Sequence, residues 1–281
     1  MHMYGNWRSA AAFRVRIALK LKGIPYEETF IDLDAGDQHK PEFRTINPQG
    51  AVPALFDGDG PPLTQSLAIL DYLEETRGGV RLLPEDPRAR ARARSLAQVV
   101  ACDTHPLYVP RVRTFLMEHY GLPRERMLDF LRNAFETGLR TLETRLSTEP
   151  GTGRFCQGDA VSHADLCLVS LWVGTGIFGV DTAPYPTVAR IAQACLALPE
   201  VAEAHPLRQP GAPQAGPGAR ALWSRVPARG TCGNRTPRTC KQAGVLIPVR
   251  EKKECRWHPS GTSQTCIASS WSVAAPRGCS L

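Results

Sequence analysis

The segment 47–75 contains side chains and backbone groups that together could bind an anion. Ser66 directly precedes apolar residues at helical spacing, so we expect it to be the N-cap of a helix. Helix N-termini present unpaired backbone N–H groups and a positive dipole end, which favour a carboxylate or a phosphate. Upstream, Asp57-Gly58 predicts a tight turn between two short strands. The pattern therefore predicts an anion-binding corner, and an ordinary hairpin and helix without a ligand is the alternative.

Asp165 is a second polar candidate, and its local sequence explains it without catalytic chemistry. Ser162 stands three residues before it. At this spacing a serine can cap a helix while the acidic side chain bonds back to the serine N–H. We therefore interpret Ser162 and Asp165 as a capping box at the start of a buried helix.

The spacing of the nine cysteines does not predict a metal site. None belongs to a Cys-x-x-Cys pair, and Cys255-x-x-His258 has no second half, so zinc is not expected. Four cysteines in the first 210 residues lie in or beside apolar segments and are predicted to be buried, reduced thiols. They are Cys102, Cys156, Cys167 and Cys195.

The net charge of +7 is concentrated at one end of the chain. Residues 1–210 carry 23 Lys and Arg against 25 Asp and Glu, whereas residues 211–281 carry 11 against 2. We predict that 211–281 is disordered, because Pro, Gly, Ser, Thr and Arg dominate it without a hydrophobic period. The folded part gives no reason to expect a nucleic-acid partner. No apolar run reaches the length of a membrane span and no secretory signal is visible, so we expect a cytoplasmic protein.

Two regions with different secondary structure must position the candidate groups. Residues 1–80 predict the order strand, helix, strand, helix, strand, strand, helix, which indicates an α/β domain with a mixed sheet. Prolines interrupt 81–87, which we predict to be a linker. Residues 88–210 show helical periodicity, so we predict an all-α C-terminal domain. The alternating arginines of 88–94 are interpreted as a solvated helix face.

Motifs in both regions match those of a known family. They are Trp7-Arg8-Ser9, Phe13-Arg14-Val15-Arg16-Ile17-Ala18-Leu19, Asn47-Pro48, Val52-Pro53, Gln65-Ser66-Leu67-Ala68-Ile69, Arg81-Leu82-Leu83-Pro84, Gly158-Asp159, Ala164-Asp165-Leu166 and Pro184-Tyr185-Pro186. On these motifs the chain resembles glutathione transferases of the zeta class, which includes maleylacetoacetate and maleylpyruvate isomerases. The resemblance covers roughly residues 3–210 and leaves the rest outside.

The resemblance implies a thioredoxin-like N-terminal domain, an all-helical C-terminal domain, a homodimer, and glutathione as the bound thiol. It implies a cis peptide bond before Pro53, which lets the Val52 backbone pair with the cysteinyl part of glutathione. It places Gln65 and Ser66 at the γ-glutamyl carboxylate. Gln38 matches a further glutathione contact.

The resemblance also implies the residues that act on the substrate. Ser9 is the candidate that binds the glutathione thiol and stabilises its thiolate, and Arg8 is the candidate clamp for a substrate carboxylate. The implied reaction is reversible thiolate addition to the cis double bond of maleylacetoacetate or a similar maleyl keto acid, rotation about the new single bond, and elimination of the trans isomer. His105 keeps a place near this site and is a further candidate contact of the bound glutathione. Such isomerases serve aromatic amino acid catabolism.

Three positions depart from the family pattern. Ala10-Ala11-Ala12 follows Ser9 where relatives carry hydroxyl and thiol side chains, and Ile177 stands where they carry arginine. The segment 108–110 lacks the usual asparagine, and Arg111 is the candidate replacement cation. Two alternatives therefore stay open: a glutathione transferase acting on more apolar electrophiles, and a weakly catalytic glutathione-binding protein.

Overall fold

A four-stranded mixed sheet forms the centre of the N-terminal region. The computed structural model describes residues 1–213, so the predicted disordered tail, 211–281, lies outside the described residues from residue 214 onward. The strands are β1 His2–Gly5, β2 Glu27–Phe30, β3 Ala54–Phe56 and β4 Leu63–Thr64, in the order β2-β1-β3-β4. β1 runs parallel to β2 and antiparallel to β3, and β4 is antiparallel to β3. The predicted α/β fold with a mixed sheet is confirmed.

Three α-helices and a short 3-10 helix accompany the sheet. They are α1 Ala10–Leu21, the 3-10 helix Asp37–His39, α2 Pro41–Ile46 and α3 Ser66–Thr76. Apolar side chains of α1 and α3 share one buried cluster with the strands, including Phe13, Leu70 and Leu55. Because burial of apolar surface is the main stabilising contribution, this cluster holds the first turns of α1 and α3 in a fixed relation to the sheet.

The elements after α3 in the described part of the chain are helical. They are α4 Pro87–Gln98, a π-helical segment Val99–Thr104, α5 His105–Tyr108, α6 Pro110–Tyr120, α7 Arg124–Thr148, α8 His163–Phe178, α9 Pro186–Leu196, α10 Pro199–Ala204 and a 3-10 helix Pro206–Arg208. α8 is the central helix, in contact with α1, α4, α7 and α9. The predicted all-α C-terminal region is confirmed.

A capping box begins the central helix α8, as the sequence predicts. The Asp165 carboxylate accepts hydrogen bonds from the Ser162 N–H and hydroxyl, each at 2.8 Å, and from the Cys156 N–H at 2.7 Å. Asp165 is fully buried. Every contact of this carboxylate is structural, which agrees with its interpretation as a cap.

Two sequence expectations about side-chain exposure are wrong. Cys102 is exposed, because the buried face of the π-helical segment is formed by Val100 and Thr104. The other three predicted thiols are buried, and burial raises their pKa. Arg92 does not lie on a solvated face: its guanidinium bonds the Glu149 carboxylate at 2.8 Å and the Cys156 carbonyl at 2.7 Å.

A buried ion pair between Lys22 and Glu74 also helps to hold the segment that follows α3. Lys22 Nζ lies 2.9 Å from the Glu74 carboxylate, and both side chains are at most 10% exposed. Glu74 also accepts a hydrogen bond from the Leu82 N–H, while the Leu82 carbonyl accepts one from the His163 N–H. The chain leaving α3 is therefore fixed to the start of α8. Over residues 1–213, no helix combines the length and apolarity needed to cross a membrane.

Candidate active site

The first turn of α1 carries Ser9 as its N-cap. Ser9 Oγ accepts a hydrogen bond from the Ala12 N–H at 3.2 Å. A hydroxyl has one donor and two acceptor sites, so this cap leaves the Ser9 proton able to bond an anion. The loop before it is held by buried Asn6, whose side chain accepts from the Arg8 N–H and donates to the Ile31 carbonyl.

Arg8 belongs to a small cluster of charges between the two regions. Its guanidinium lies 2.5 Å from the Asp34 carboxylate, and the Arg8 side chain is 12% exposed. Arg113, from α6, is electrostatically coupled to this pair: burial and the Arg8 charge lower its pKa to about 10, against the opposing effect of Asp34. Arg111, the cation expected from the sequence, is exposed on the same helix. Arginines from both regions therefore face a common carboxylate.

The N-cap of α3 is Gln65, one residue earlier than the sequence predicts. Gln65 has φ 67° and ψ 112°, and it is the one non-glycine residue with positive φ in the described chain. Such a conformation costs on the order of 1–3 kcal/mol and is concentrated at functional sites. The Gln65 side chain makes no capping bond and instead donates to Gln49 Oε1 at 2.9 Å.

Ser66 is the first helical residue of α3 and is buried. The first intrahelical bond runs from the Ile69 N–H to the Gln65 carbonyl, so the N–H groups of 66–68 have no acceptor in the helix. Ser66 Oγ accepts a hydrogen bond from Arg14 at 3.2 Å. This end of α3 thus combines free N–H groups with a buried hydroxyl, a combination that suits a carboxylate.

The segment between β2 and β3 brings Gln38 and the Val52-Pro53 bond to the same end of the sheet. The Val52-Pro53 peptide bond is cis, as the resemblance implies. Gln38 is buried, and its Oε1 has no hydrogen-bond partner in the described residues. A Cβ on Gly50 would lie 2.9 Å from the Gln38 carbonyl oxygen, so glycine allows the two backbones to approach. The unpartnered Gln38 Oε1 marks a place where a ligand donor fits.

His105 begins α5 and its ring packs edge-on against Tyr108, with centroids 4.9 Å apart. Burial, together with the charges of Arg14 and Arg111, holds the pKa of His105 well below its ordinary value. His105 is therefore neutral at physiological pH. A neutral imidazole can accept or donate one hydrogen bond without carrying charge into the site.

Three residues to which the sequence analysis gave no role contact the predicted site residues and hold them in place. Gln49 bonds Gln65 and stands next to Gly50, which touches Gln38. Arg14, in α1, bonds Ser66 at the first turn of α3 and Ser170 in α8. Asn6 positions Arg8. A charged residue between Phe13 and Val15 in a buried helix was the available signal for Arg14, because an arginine inside a core needs polar partners.

The arrangement suits binding and activation of an anion better than metal chemistry. Two helix N-termini, each with a serine, supply hydroxyl donors and unpaired N–H groups for a carboxylate and a thiolate. No group of His, Cys, Asp and Glu side chains in residues 1–213 is arranged to hold a metal ion.

Comparison with known proteins gives consistent similarities. Residues 8–76 match the family model described as "Glutathione S-transferase, N-terminal domain". Maleylacetoacetate isomerase of Rattus norvegicus is 42% identical over 213 residues, which are 75% of this chain and 94% of the rat protein.

Solved structures extend the similarity to three dimensions. A maleylacetoacetate isomerase from Methylobacterium extorquens AM1, with bound malonate and GSH, is 86% identical with a TM-score of 0.75. It covers 76% of this chain and 100% of its own. A holo maleylpyruvate isomerase, described as a bacterial zeta-class glutathione S-transferase, is 36% identical with a TM-score of 0.74, and covers 76% of this chain and 100% of its own.

Proposed function

The chain belongs to the zeta class of the glutathione transferase family, and on that premise we propose that it is a glutathione-dependent cis–trans isomerase of maleylacetoacetate or a similar maleyl keto acid. The observation that carries the proposal is the 86% identity, across both regions, to a maleylacetoacetate isomerase with bound malonate and GSH. Malonate is a small dicarboxylate, as the proposed substrates are. The arginine pair Arg8 and Arg113 supplies the charge that such substrates require.

The residues present fit glutathione. The unpartnered oxygen of buried Gln38 can accept from a ligand amide, and the Gln65 side chain is not used by the helix it caps. Ser66 and the N–H groups that follow it suit the γ-glutamyl carboxylate, and the backbone of Val52 suits the cysteinyl part. When bound, glutathione supplies a thiolate that adds reversibly to the substrate double bond.

Ser9 stabilises negative charge at the start of α1. Its Oγ accepts the Ala12 N–H, which leaves its proton available to bond a ligand anion. The positive end of α1 acts in the same direction. The three alanines after Ser9 remove side-chain donors but keep these backbone groups, so Ser9 is the one hydroxyl at this turn. Ser9 is therefore the residue that lowers the pKa of the bound thiol.

Arg8 and His105 act on the substrate side. Asp34 occupies the Arg8 guanidinium, and we propose that a substrate carboxylate replaces it there. His105 is neutral, so it contributes a hydrogen bond without adding charge beside the thiolate. Because an isomerisation takes up no net proton, His105 can stay neutral throughout the reaction.

A second activity, conjugation of glutathione to apolar electrophiles, is favoured by Ile177. This residue is partly buried and packs against the apolar core, at a position where the family resemblance implies an arginine. An apolar side chain lowers the cost of binding an uncharged aromatic electrophile. Ile177→Arg should weaken conjugation of such electrophiles relative to isomerisation.

We propose further that the active form is a cytoplasmic homodimer without a nucleic-acid or membrane partner. We also propose the division into a glutathione-binding domain at 1–80, a linker at 81–87 and a helical domain at 88–210. These proposals rest on the family membership and on the change from mixed sheet to helices after α3.

The role of Ser9 is tested by Ser9→Ala compared with Asp86→Ala. Both serine and aspartate are N-caps that accept one backbone N–H, at α1 and α4 respectively, so both variants lose about 1 kcal/mol of stability. Ultraviolet difference spectra should show a thiolate band for glutathione bound to the parent and to Asp86→Ala at neutral pH. Ser9→Ala should lose the band and at least about 100-fold in kcat. An unchanged band in Ser9→Ala would remove the basis of the proposed chemistry.

A further inference from the structure

Arg14 is a buried cation that lies between the two regions. It stands in α1, is 1% exposed, and its side chain bonds residues of both α3 and α8. Nε donates to Ser170 Oγ at 2.9 Å, and Nη1 donates to Ser66 Oγ at 3.2 Å. Ser170 in turn donates its proton to the Cys167 carbonyl at 2.7 Å, so its oxygen is oriented to accept from Arg14.

No carboxylate neutralises this guanidinium within residues 1–213. The other buried arginine of α1, Arg16, is bonded to both oxygens of Glu28, whereas the partners of Arg14 are two neutral hydroxyls. Arg14 Nη2 is buried and has no hydrogen-bond partner. An uncompensated buried charge is unfavourable, and it is normally retained where an anion completes it.

The partner that Arg14 reaches is Ser66, at the N-terminus of α3. Because Arg14 donates to Ser66 Oγ, the Ser66 proton is directed away from Arg14. Among the described residues, no group accepts that proton. The free N–H groups of 66–68 lie at the same end of the helix. An anion at this position would receive the Ser66 proton and neutralise the buried guanidinium.

Resting on the proposed function, we infer that Arg14 is a positioning residue for glutathione: it orients the Ser66 hydroxyl toward the γ-glutamyl carboxylate and supplies the buried positive charge that this carboxylate neutralises. The residue acts through Ser66 and does not touch the reacting sulfur. It therefore sets affinity for the carboxylate end of the ligand, and makes the site selective for thiols that carry a carboxylate there.

The charge of Arg14 is felt by the surrounding groups, as an unneutralised cation requires. Arg14 lowers the pKa of His105, in addition to the larger effect of burial. It also opposes the rise that burial causes in the pKa of Tyr108 and of Cys167. The affected groups lie on α5 and α8, so the positive potential of Arg14 extends across the boundary between the regions.

Calorimetric titration of two ligands tests the inference. The ligands are glutathione and 4-aminobutyryl-cysteinylglycine, which lacks only the γ-glutamyl carboxylate. Arg14→Met should weaken glutathione binding roughly 10- to 100-fold, the loss expected for a hydrogen bond to a charged group. Its affinity for the analogue should stay within about twofold of the parent. Ser66→Ala should behave similarly, and the double variant should lose less than the product of the two separate losses.

Arg14→Lys keeps the buried charge but cannot bond both Ser66 and Ser170. It provides the test of the positioning role if Arg14→Met does not fold. It should bind glutathione several-fold more weakly than the parent, with the analogue unaffected. Equal weakening of both ligands, or independent multiplicative losses with Ser66→Ala, would mean that Arg14 is only structural and would overturn the inference. A parent protein that binds neither ligand would instead overturn the proposed function itself.

Discussion

Replacement of Asp165 should destabilise the protein strongly while leaving its chemistry intact. The carboxylate is fully buried and accepts three hydrogen bonds, two of them from the backbone N–H groups of Cys156 and Ser162. In Asp165→Ala both N–H groups stay buried without an acceptor. The start of α8 and the loop at Cys156 lose their common anchor. A buried acidic residue can also suggest a catalytic role. A structural role predicts lost stability with unchanged kcat, whereas a catalytic role predicts a large fall in kcat.

The expected loss of stability follows from the orphaned donors. Each unsatisfied buried N–H costs about 1–3 kcal/mol, so two of them cost about 2–6 kcal/mol. Single domains have only about 5–15 kcal/mol of stability in total, so Asp165→Ala removes a large fraction of it. Ser162→Ala removes one hydroxyl donor and leaves both backbone bonds to Asp165 in place, and should cost about 1 kcal/mol.

Urea denaturation of the parent, Asp165→Ala and Ser162→Ala measures these differences through the transition midpoint. Activity should be assayed below the transition of each variant and corrected for the folded fraction. We expect kcat per folded molecule to be unchanged in both variants. A loss below about 1 kcal/mol in Asp165→Ala, or a large fall in its kcat per folded molecule, would refute the structural interpretation.

Three further predictions concern stability and strain. Burial opposes ionisation of Glu74, but the Lys22 ammonium and the Leu82 N–H outweigh it and hold the pKa of Glu74 below its ordinary value of 4.5. The stabilising effect of the Glu74 carboxylate is therefore present above pH 4.5 and is lost as the pH falls further. In denaturation measured from about pH 6 downward, Glu74→Gln should lack this acid-dependent loss of stability. Gly138→Ala should lose about 1–3 kcal/mol, because a Cβ there would lie 2.3 Å from Thr104 Oγ1, whereas Gly176→Ala has open space and should gain up to about 1 kcal/mol; equal denaturation midpoints would contradict this. Gln65→Gly should relieve the strain of the positive φ and raise stability by about 1 kcal/mol, while weakening glutathione binding. A variant that binds glutathione as tightly as the parent would show that the Gln65 amide has no ligand role.

Local patterns were sufficient for the elements whose causes are local. The Ser162–Asp165 capping box, the turn before β4 and the helical periodicity of 88–210 depend on neighbours a few residues apart, and the structure contains all of them. The fold class and the relation to zeta-class transferases followed from motifs spread over both regions. The cis bond before Pro53 came from that relation and not from the residue types.

Features that depend on distant contacts could not be predicted. Gln65, not Ser66, caps α3 because tertiary packing holds a non-glycine residue at positive φ, and nothing in a glutamine indicates that conformation. The partners of Arg14 are 52 and 156 residues away in the sequence, so its bridge between the regions is visible only in the fold. Cys102 and Arg92 were misplaced for a similar reason, since burial on a helix is decided by what packs against it.

The central claim is tested most directly by isomerisation of maleylacetoacetate under three conditions. The rate should be measured with glutathione, without a thiol, and with S-methylglutathione, which keeps the γ-glutamyl carboxylate but has no free thiol. The proposed function predicts turnover with glutathione alone and no consumption of glutathione, while S-methylglutathione inhibits by occupying the same site. A rate at background with glutathione bound, or an equal rate without any thiol, would contradict it.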